Sequence, residues 1–393
     1  MNKQILKFSS FLSAPMLLCG ALHAQVYWNG IDSDVWDTDT TANWNTAADG
    51  TDSNITFSAG DAVVFSSDTA TQTSIKVSSQ QVASELTVLS GQDITINNGS
   101  VYIGASGSGT TMTINVESGA SLDMGYSNTS SVTFDIDGDF SADVFHGGGS
   151  MTKNGSGTST FNRLDATLTI NGGKLVYTGT EGAKLKNTTV NSGGTLELTG
   201  SAFDGTKRDL KVNGTGVVEF ASGLDQTISI FSGDGSLVGN GSTLRVGGDN
   251  KSTTFNGDIS GDMDLHAIGS GTFTMSNTTS MEIVVAGNGV NNSILGTGNI
   301  NLDGELTFDL TSADLTAGNS WLIVDVANLN ETFGATFSIA DFTESGGIWT
   351  YDLNALVEFS ELTGELYVIP EPSTFALLAG CLGLAVVMLK RRL

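Results

Sequence analysis

The sequence predicts an all-β fold: a right-handed parallel β-helix, or β-solenoid, with an N-terminal cap, a small C-terminal antiparallel β unit and a final transmembrane helix. Three observations predict it. The 393-residue chain contains 50 Gly and only 3 Pro, which indicates many tight turns and little helix. Short alternating strands repeat along its middle at steps of about 20 residues. The chain closes on an apolar run followed by three cations.

The central repeats, assigned to residues 94–298, each contain an alternating strand, a turn of Asn and Gly, and a second alternating strand. One such coil cannot bury its inward side chains. Coils are therefore expected to stack about 4.8 Å apart, with like residues aligned in columns. The positions expected to be equivalent in successive repeats are Ile96 and Ile114, and then Ile170, Val190 and Val212.

Specific columns follow from this alignment. Leu175 is expected beneath Leu196, and Leu196 beneath Val217 or Val218. Asn recurs at the turn, where it tolerates left-handed backbone and its amide can form hydrogen bonds along the stack. An antiparallel β-sandwich built from the same hairpins is the alternative, because the repeats are irregular in length. The recurring residues at the turn are Asn171, Asn191 and Asn213.

Residues 155–179, GSGTSTFNRLDATLTINGGKLVYTG, resemble the autotransporter-associated β-strand repeat, whose pattern is Gly-x-Gly-Thr, a strand and Gly-Gly-x-Leu. The segments 172–175 and 193–196 fit the last of these elements. The resemblance covers about residues 145–200 and implies a passenger-like β-helical body. This chain departs from that family by ending in an apolar helix-forming segment, which implies a different export route.

Residues 1–24 have the features of a secretion signal peptide. Lys3 and Lys7 form a positive start, residues 8–18 are mostly apolar, and the small residue Ala24 stands at the expected cleavage position. The order of these features favours export through the Sec translocon and cleavage of the signal peptide after Ala24.

Residues 25–93 are assigned to an N-terminal β cap and the first coils. Trp28, Trp36 and Trp44 lie in its opening segment. We expect these rings to be core residues that cover the open edge of the first coil, and a glycan-stacking platform is the alternative. Similar W-N-G…W…N-W openings in the autotransporter-type repeat proteins favour the cap.

The pattern changes near Gly298, where strands become longer and glycines fewer. Residues 299–369 therefore predict a small antiparallel β unit that closes the lower end of the rod. Trp321 and Trp349 are its expected core residues.

Residues 370–393 are of a different character. Phe375 to Leu389 is uncharged and apolar, and as a helix with its two preceding residues it would span about 25 Å, against about 30 Å for a hydrocarbon core. We therefore expect a transmembrane helix bounded by these two residues. The cations that follow would stay on the cytoplasmic side; they are Lys390, Arg391 and Arg392.

Pro370, Glu371 and Pro372 precede the apolar run, and neither proline can continue a helix backwards. The order Pro-Glu-Pro, apolar helix and basic end resembles the PEP-CTERM sorting signal of Gram-negative bacteria. The resemblance implies transient anchoring in the inner membrane, cleavage near the motif by an exosortase-type membrane protease, and transfer of the body to the cell surface or extracellular matrix. A permanent single-span anchor is the alternative.

The predicted mature body, about residues 25–372, is strongly acidic. All 42 acidic residues lie in it, whereas five of the 16 basic residues do not, so 11 minus 42 leaves a formal charge of −31. Such a surface repels nucleic acid and anionic lipid, and neutral or cationic glycans or divalent cations are the partners expected. Cys19 and Cys381 lie outside the body, which excludes disulfides and thiolate chemistry from it.

The segment Asp135-Ile136-Asp137-Gly138-Asp139 resembles the start of a calcium loop. Its glycine is in the fourth place rather than the sixth, and His146 stands where an EF-hand has its closing Glu. These three aspartates form a candidate Ca²⁺ site, and a solvated turn is the alternative. The sequence predicts no other metal site or cofactor.

The body shows no nucleophile-elbow, zinc-protease or phosphate-loop motif. The sequence therefore predicts a non-enzymatic structural or adhesive protein of the cell surface or matrix, in contact with extracellular polysaccharide. One alternative is a β-helical polysaccharide lyase or hydrolase, for which Arg163, Lys184 and Lys207 would form a basic strip. The other is a calcium-dependent glycan-binding adhesin.

Overall fold

The computed structural model describes residues 24–68, 70–99, 103–105, 111–128, 131–179, 185–203, 208–353 and 356–369, with scattered positions between 380 and 390. These residues form an all-β structure dominated by a parallel β-solenoid of about 11 turns. A short 3₁₀ helix, Leu329–Glu331, lies near its C-terminal end.

The strands of the first half are short, except where two of them turn a corner of the solenoid. They are β1 Gln25–Trp28, β2 Val35–Trp36, β3 Trp44–Asn45, β4 Ala62–Phe65, β5 Ser74–Val77, β6 Gln81–Val82, β7 Glu85–Val88, β8 Asp93–Asn97, β9 Ile103–Gly104, β10 Thr111–Val116, β11 Ser121–Asn128, β12 Ser131–Ile136, β13 Asp139–Asn154, β14 Thr158–Ile170, β15 Gly173–Tyr177, β16 Thr188–Val190 and β17 Gly194–Leu198.

The strands of the second half continue this course and then change direction. They are β18 Asp209–Val212, β19 Val217–Phe220, β20 Asp225–Ile228, β21 Ile230–Gly233, β22 Ser236–Val238, β23 Ser242–Val246, β24 Thr253–Phe255, β25 Asp258–Ser260, β26 Met263–Ala267, β27 Thr272–Met275, β28 Ser280–Val284, β29 Ile294–Gly296, β30 Asn299–Leu302, β31 Glu305–Asp309, β32 Ser320–Leu322, β33 Val324–Val326, β34 Ser338–Ile339, β35 Phe342–Ser345, β36 Ile348–Tyr351, β37 Val357–Ser360 and β38 Glu365–Val368.

The described strands of the solenoid lie on three faces, which we call A, B and C. Face A runs from β1, β4 and β7 to β27 and β30, and face B runs from β5 and β8 to β31 and β34. Face C is the parallel ladder β20, β23, β26, β29 and β33 in the second half. The long strands β13 and β14 pair on face B at their starts and on face A at their ends.

Side chains alternate between the core and the solvent along each strand, and successive coils align the inward ones in columns. Leu175 pairs with Leu196, and Leu196 pairs with Val218, as predicted. All three are fully buried. The parallel pairing of the body decides for the solenoid and against the antiparallel sandwich, because a sandwich of hairpins would pair its neighbouring strands antiparallel.

One part of the predicted alignment was wrong. Ile114 pairs with Leu86 on face A, whereas Ile96 pairs with Met124 on face B, so the two isoleucines do not stack. The sequences around the two isoleucines are similar because both form short alternating strands, but these strands lie on different faces. The positions Ile170, Val190 and Val212 do stack in register on face A.

The C-terminal unit is antiparallel only in part. β32, β38, β37, β36 and β35 form a five-stranded antiparallel sheet, and Trp321 and Trp349 are buried in its core, as expected. However, β30, β31, β33 and β34 still pair in parallel with the solenoid, so the boundary predicted at residue 299 was too early. Longer strands with fewer glycines extend the coils before the sheet closes them.

The C-terminal tail is largely outside the described residues. In the described part of the chain no helix has both the length and the apolar character needed to cross a membrane. Phe375 and Leu389, the expected ends of the transmembrane helix, are not among the described positions, and the structure does not support that helix.

Candidate functional site

The predicted calcium segment forms the corner where face A passes into face B. Asp135 lies near the end of β12, Asp137 in the turn and Asp139 at the start of β13. In the described residues no group of three or more His, Cys, Asp or Glu side chains is arranged to hold a metal ion. The three aspartates therefore do not form a coordination group, because the corner distributes them over two faces and the turn between.

The chain itself satisfies two of these carboxylates. Asp137 accepts hydrogen bonds from the backbone N–H of Ser156 at 2.7 Å and from its hydroxyl at 3.0 Å. These bonds hold the pKa of Asp137 below its usual value. Asp135 accepts a hydrogen bond from the side-chain amide of Asn154 at 2.8 Å.

A cation does lie at this corner, and it is the ammonium of Lys153. The side chain of Lys153 is fully buried in a face A column between Phe134 and Ile170. Burial lowers its pKa to about 8, although the carboxylates of Asp137 and Asp135 act in the opposite direction. The sequence pattern does not indicate Lys153 as a functional residue, because alternation alone predicts an apolar side chain at its position.

Main-chain carbonyls surround the Lys153 ammonium. Its Nζ lies 3.3 Å from the oxygen of Ile136, 2.5 Å from that of Asn154, 3.1 Å from that of Gly155 and 3.3 Å from that of Gly172. We call these four oxygens the carbonyl cage. They come from three successive coils, so the ammonium bridges the stack along its axis.

A ladder of side-chain amides runs along the outside of the same corner. Asn213 donates to Asn191 at 2.8 Å, Asn191 to Asn171 at 2.7 Å, and Asn171 to Asn154 at 2.9 Å. Asn154 then donates to Asp135, which ends the ladder. The predicted stacking of Asn171, Asn191 and Asn213 is confirmed.

A polar groove crosses the outer surface of face B over β8, β11, β13 and β14. One cavity of about 200 Å³ lies over β11, β13 and β14, and a second of about 470 Å³ adjoins it; Asp123 lines both. The groove is lined by carboxylates and hydroxyl groups, and none of its described lining residues is Lys or Arg. The polar lining residues include Thr95, Asn97, Asp123, Asp139, Ser141, Asp143, Thr158 and Thr160.

The chemistry of this groove suits a ligand rich in hydroxyl or amino groups. Ser141 donates to Asp123 at 2.6 Å, and Ser121 donates to Asp93 at 2.7 Å, so each pair presents a carboxylate with remaining lone pairs. Because coils stack about 4.8 Å apart, these groups recur regularly along the axis. Spacing in the sequence did not reveal the groove, since its residues come from four separate coils.

The three tryptophans pack together in the N-terminal part of the structure. Trp28, Trp36 and Trp44 are fully buried, and Trp44 contacts the other two edge to face with ring centroids 5.0 and 5.3 Å apart. Phe57 packs against Trp36 at 5.3 Å. Sugar stacking requires an exposed ring face, so this burial favours the cap over the glycan platform.

The terminal signals lie at or beyond the edges of the described structure. The first strand begins at Gln25, directly after the predicted cleavage residue Ala24. Pro370, Glu371 and Pro372 are outside the described residues, as are Arg391 and Arg392, while Lys390 is described and exposed.

The basic strip predicted for a lyase cannot be assembled from the described residues. Arg163 pairs with Val144 of the preceding coil, and Lys184 and Lys207 lie outside the described residues.

No protein-family model, no curated protein and no solved structure matches this chain.

Proposed function

We propose that this chain is an exported structural or adhesive protein of the cell surface or extracellular matrix, without catalytic activity, that binds extracellular polysaccharide. The observation that carries the proposal is the polar groove, placed on the outer face of a solenoid that is closed at both ends by packed aromatic residues. A stack of coils joined by backbone ladders presents such a surface rigidly over a long distance.

Export and sorting belong to the same proposal. The signal peptide directs the chain to the Sec translocon. The Pro370–Pro372 motif, with the apolar run and the basic residues that follow it, anchors the chain transiently in the inner membrane and directs the chain to an exosortase-type protease. We also take the coils to be right-handed, the hand favoured for parallel strands joined by crossovers. The start of β1 at Gln25 supports the proposed signal peptide, because the first strand begins where that peptide is expected to end.

The intact mass of the protein recovered from the cell surface tests the sorting proposal. A mature chain that begins at Gln25 and ends near residue 370 is expected. Deletion of residues 370–393 should abolish the C-terminal cleavage and surface retention. A surface protein that retains Leu393, or fractionation unchanged by the deletion, contradicts the sorting proposal.

Polysaccharide binding is tested at the groove. Asp123→Asn removes a charge from the residue shared by both cavities, while Asp258→Asn is a matched control, because Asp258 accepts a hydrogen bond from Ser280 at 2.6 Å on the same face, outside the groove. Binding to immobilised neutral and amino polysaccharides should weaken about tenfold, or about 1.4 kcal/mol, only in the first variant. Equal affinities of both variants and the wild type contradict a role of the groove.

A further inference from the structure

The coordination of the Lys153 ammonium is that of a cation site rather than of an ordinary buried lysine. An ammonium has three protons to donate, yet four carbonyl oxygens lie between 2.5 and 3.3 Å from Nζ. Three directional hydrogen bonds would use only three of these oxygens. A spherical cation, in contrast, can be coordinated by all four.

The backbone around the cage is shaped for these carbonyls. Gly155 has a φ of +74°, a conformation that side chains disfavour, and a Cβ atom there would collide with the carbonyl of Ile136. Gly172 leaves only 3.0 Å between such a Cβ atom and the carbonyl of Gly155. Glycines at the corner therefore let three coils approach closely enough to point four oxygens at one place.

The ammonium of Lys153 is enclosed and only partly compensated by nearby charge. Burial disfavours its positive charge, and the carboxylates of Asp137 and Asp135 at the same corner offset part of that cost. Phe134 and Ile170 close the column above and below Lys153. The carbonyl of Ile136 also accepts a hydrogen bond from the backbone N–H of Gly157 at 2.8 Å. Four carbonyl oxygens that converge in a dry interior repel one another, so a cation or donor at their centre stabilises the corner.

We propose that the carbonyl cage is an internal monovalent-cation site which the chain fills with its own Lys153 ammonium, and that an alkali cation occupies it when the ammonium is removed. Main-chain carbonyls without a directly coordinating carboxylate suit a singly charged, weakly hydrated ion such as K⁺. The corner, which contains the calcium-loop-like segment from Asp135 to Asp139, thus keeps its turn geometry without an external metal ion.

The test compares the full-length wild-type protein with Lys153→Met, which keeps an unbranched side chain but is one atom shorter, so it removes the charge and vacates the position of Nζ. Ile170→Met is the matched control, because it places Met in the same column one coil away and leaves the ammonium in the cage. Melting temperatures are measured in potassium, sodium and choline chloride at equal ionic strength, since choline is too large to enter the cage.

The Lys153→Met variant should melt about 2–4 °C higher in potassium than in choline chloride, with a saturable dependence on potassium concentration. The wild type and Ile170→Met should melt at the same temperature in potassium and choline. A Lys153→Met variant that folds and melts alike in all three salts overturns the proposal. A variant that stays unfolded in potassium and choline alike also overturns it, because a filled cage should restore the fold.

A second measurement uses the wild type alone. Acetylation of the native protein with an amine-reactive reagent should modify the exposed Lys76 quickly and leave Lys153 unmodified until the protein unfolds. Modification of both at similar rates overturns the assignment of Lys153 as the resident cation.

Discussion

Asn154 donates its side-chain amide to the carboxylate of Asp135, one coil nearer the N-terminus, across 2.8 Å. Asn171, Asn191 and Asn213 extend this contact over three more coils, and every amide in the ladder donates in the same direction. Aligned hydrogen bonds polarise one another, and the carboxylate at the receiving end strengthens the first of them. The ladder therefore holds five coils in register although their lengths vary from 17 to 22 residues.

The middle of the ladder should be sensitive to truncation. Asn171→Ala removes one donor and one acceptor, and we expect a loss of about 1–2 kcal/mol in local stability. Amide hydrogen exchange in β14, β15 and β16 should accelerate, whereas exchange in β26 and β27 should not. Asn97→Ala, which removes a single surface hydrogen bond to Ser74, is the control and should cost a few tenths of that. Equal effects of the two changes would show that the ladder adds nothing.

A cavity in the buried face B column of Leu175, Leu196 and Val218 should lower the stability of the protein. Leu196→Ala removes a fully buried side chain between Leu175 and Val218, and we expect a loss of about 2–5 kcal/mol. Thr195→Ala, at the adjacent outward position, should change stability by less than about 0.5 kcal/mol. Limited proteolysis at increasing temperature measures both. A similar protease sensitivity of the two variants would contradict the inward and outward assignment.

Close backbone packing at the corner predicts that alanine substitution destabilises the protein to different degrees at two glycines that both have a positive φ. Gly155 and Gly91 have φ values of +74° and +80°, so alanine is strained at both. A Cβ atom at Gly155 would collide with the carbonyl of Ile136, whereas one at Gly91 meets nothing within 4 Å. Gly91→Ala should therefore cost about 1 kcal/mol and Gly155→Ala clearly more. Equal melting temperatures of the two variants would mean that the coils do not approach as closely as the structure shows.

Lys153 should make stability depend on pH in the alkaline range. Its pKa is lowered from 10.5 to about 8, so between these values the unfolded chain binds more protons than the folded one. Stability should therefore rise with pH from about 8 to 10.5, by up to about 3 kcal/mol for this group. The Lys153→Met variant is the reference, because it retains every other titratable group and lacks only this one. The wild type should gain melting temperature relative to this variant as pH rises, and a constant difference would contradict the lowered pKa.

Much of the fold could be predicted because it depends on local regularities. Alternation in GGTLELTG is enough to place Leu196 and Leu198 inward, and both are fully buried. Asn followed by Gly or Ser at the corner was sufficient to predict the amide ladder, since one side chain per coil at a fixed turn must meet its equivalent. The rings of Trp28, Trp36 and Trp44 could be assigned to a cap because large aromatic side chains seldom remain exposed together.

The sequence by itself thus determined which side chains face inward, where the turns lie and which amides stack, because each of these depends on neighbours within one strand or turn. Only the tertiary structure decided that Ile96 stacks on Met124 rather than with Ile114, since stacking depends on the summed length of three faces in each coil. It also decided the environment of Lys153, because carbonyl oxygens from three coils leave no trace in residue identity. The polar groove has the same origin: its residues converge only when separate coils lie side by side.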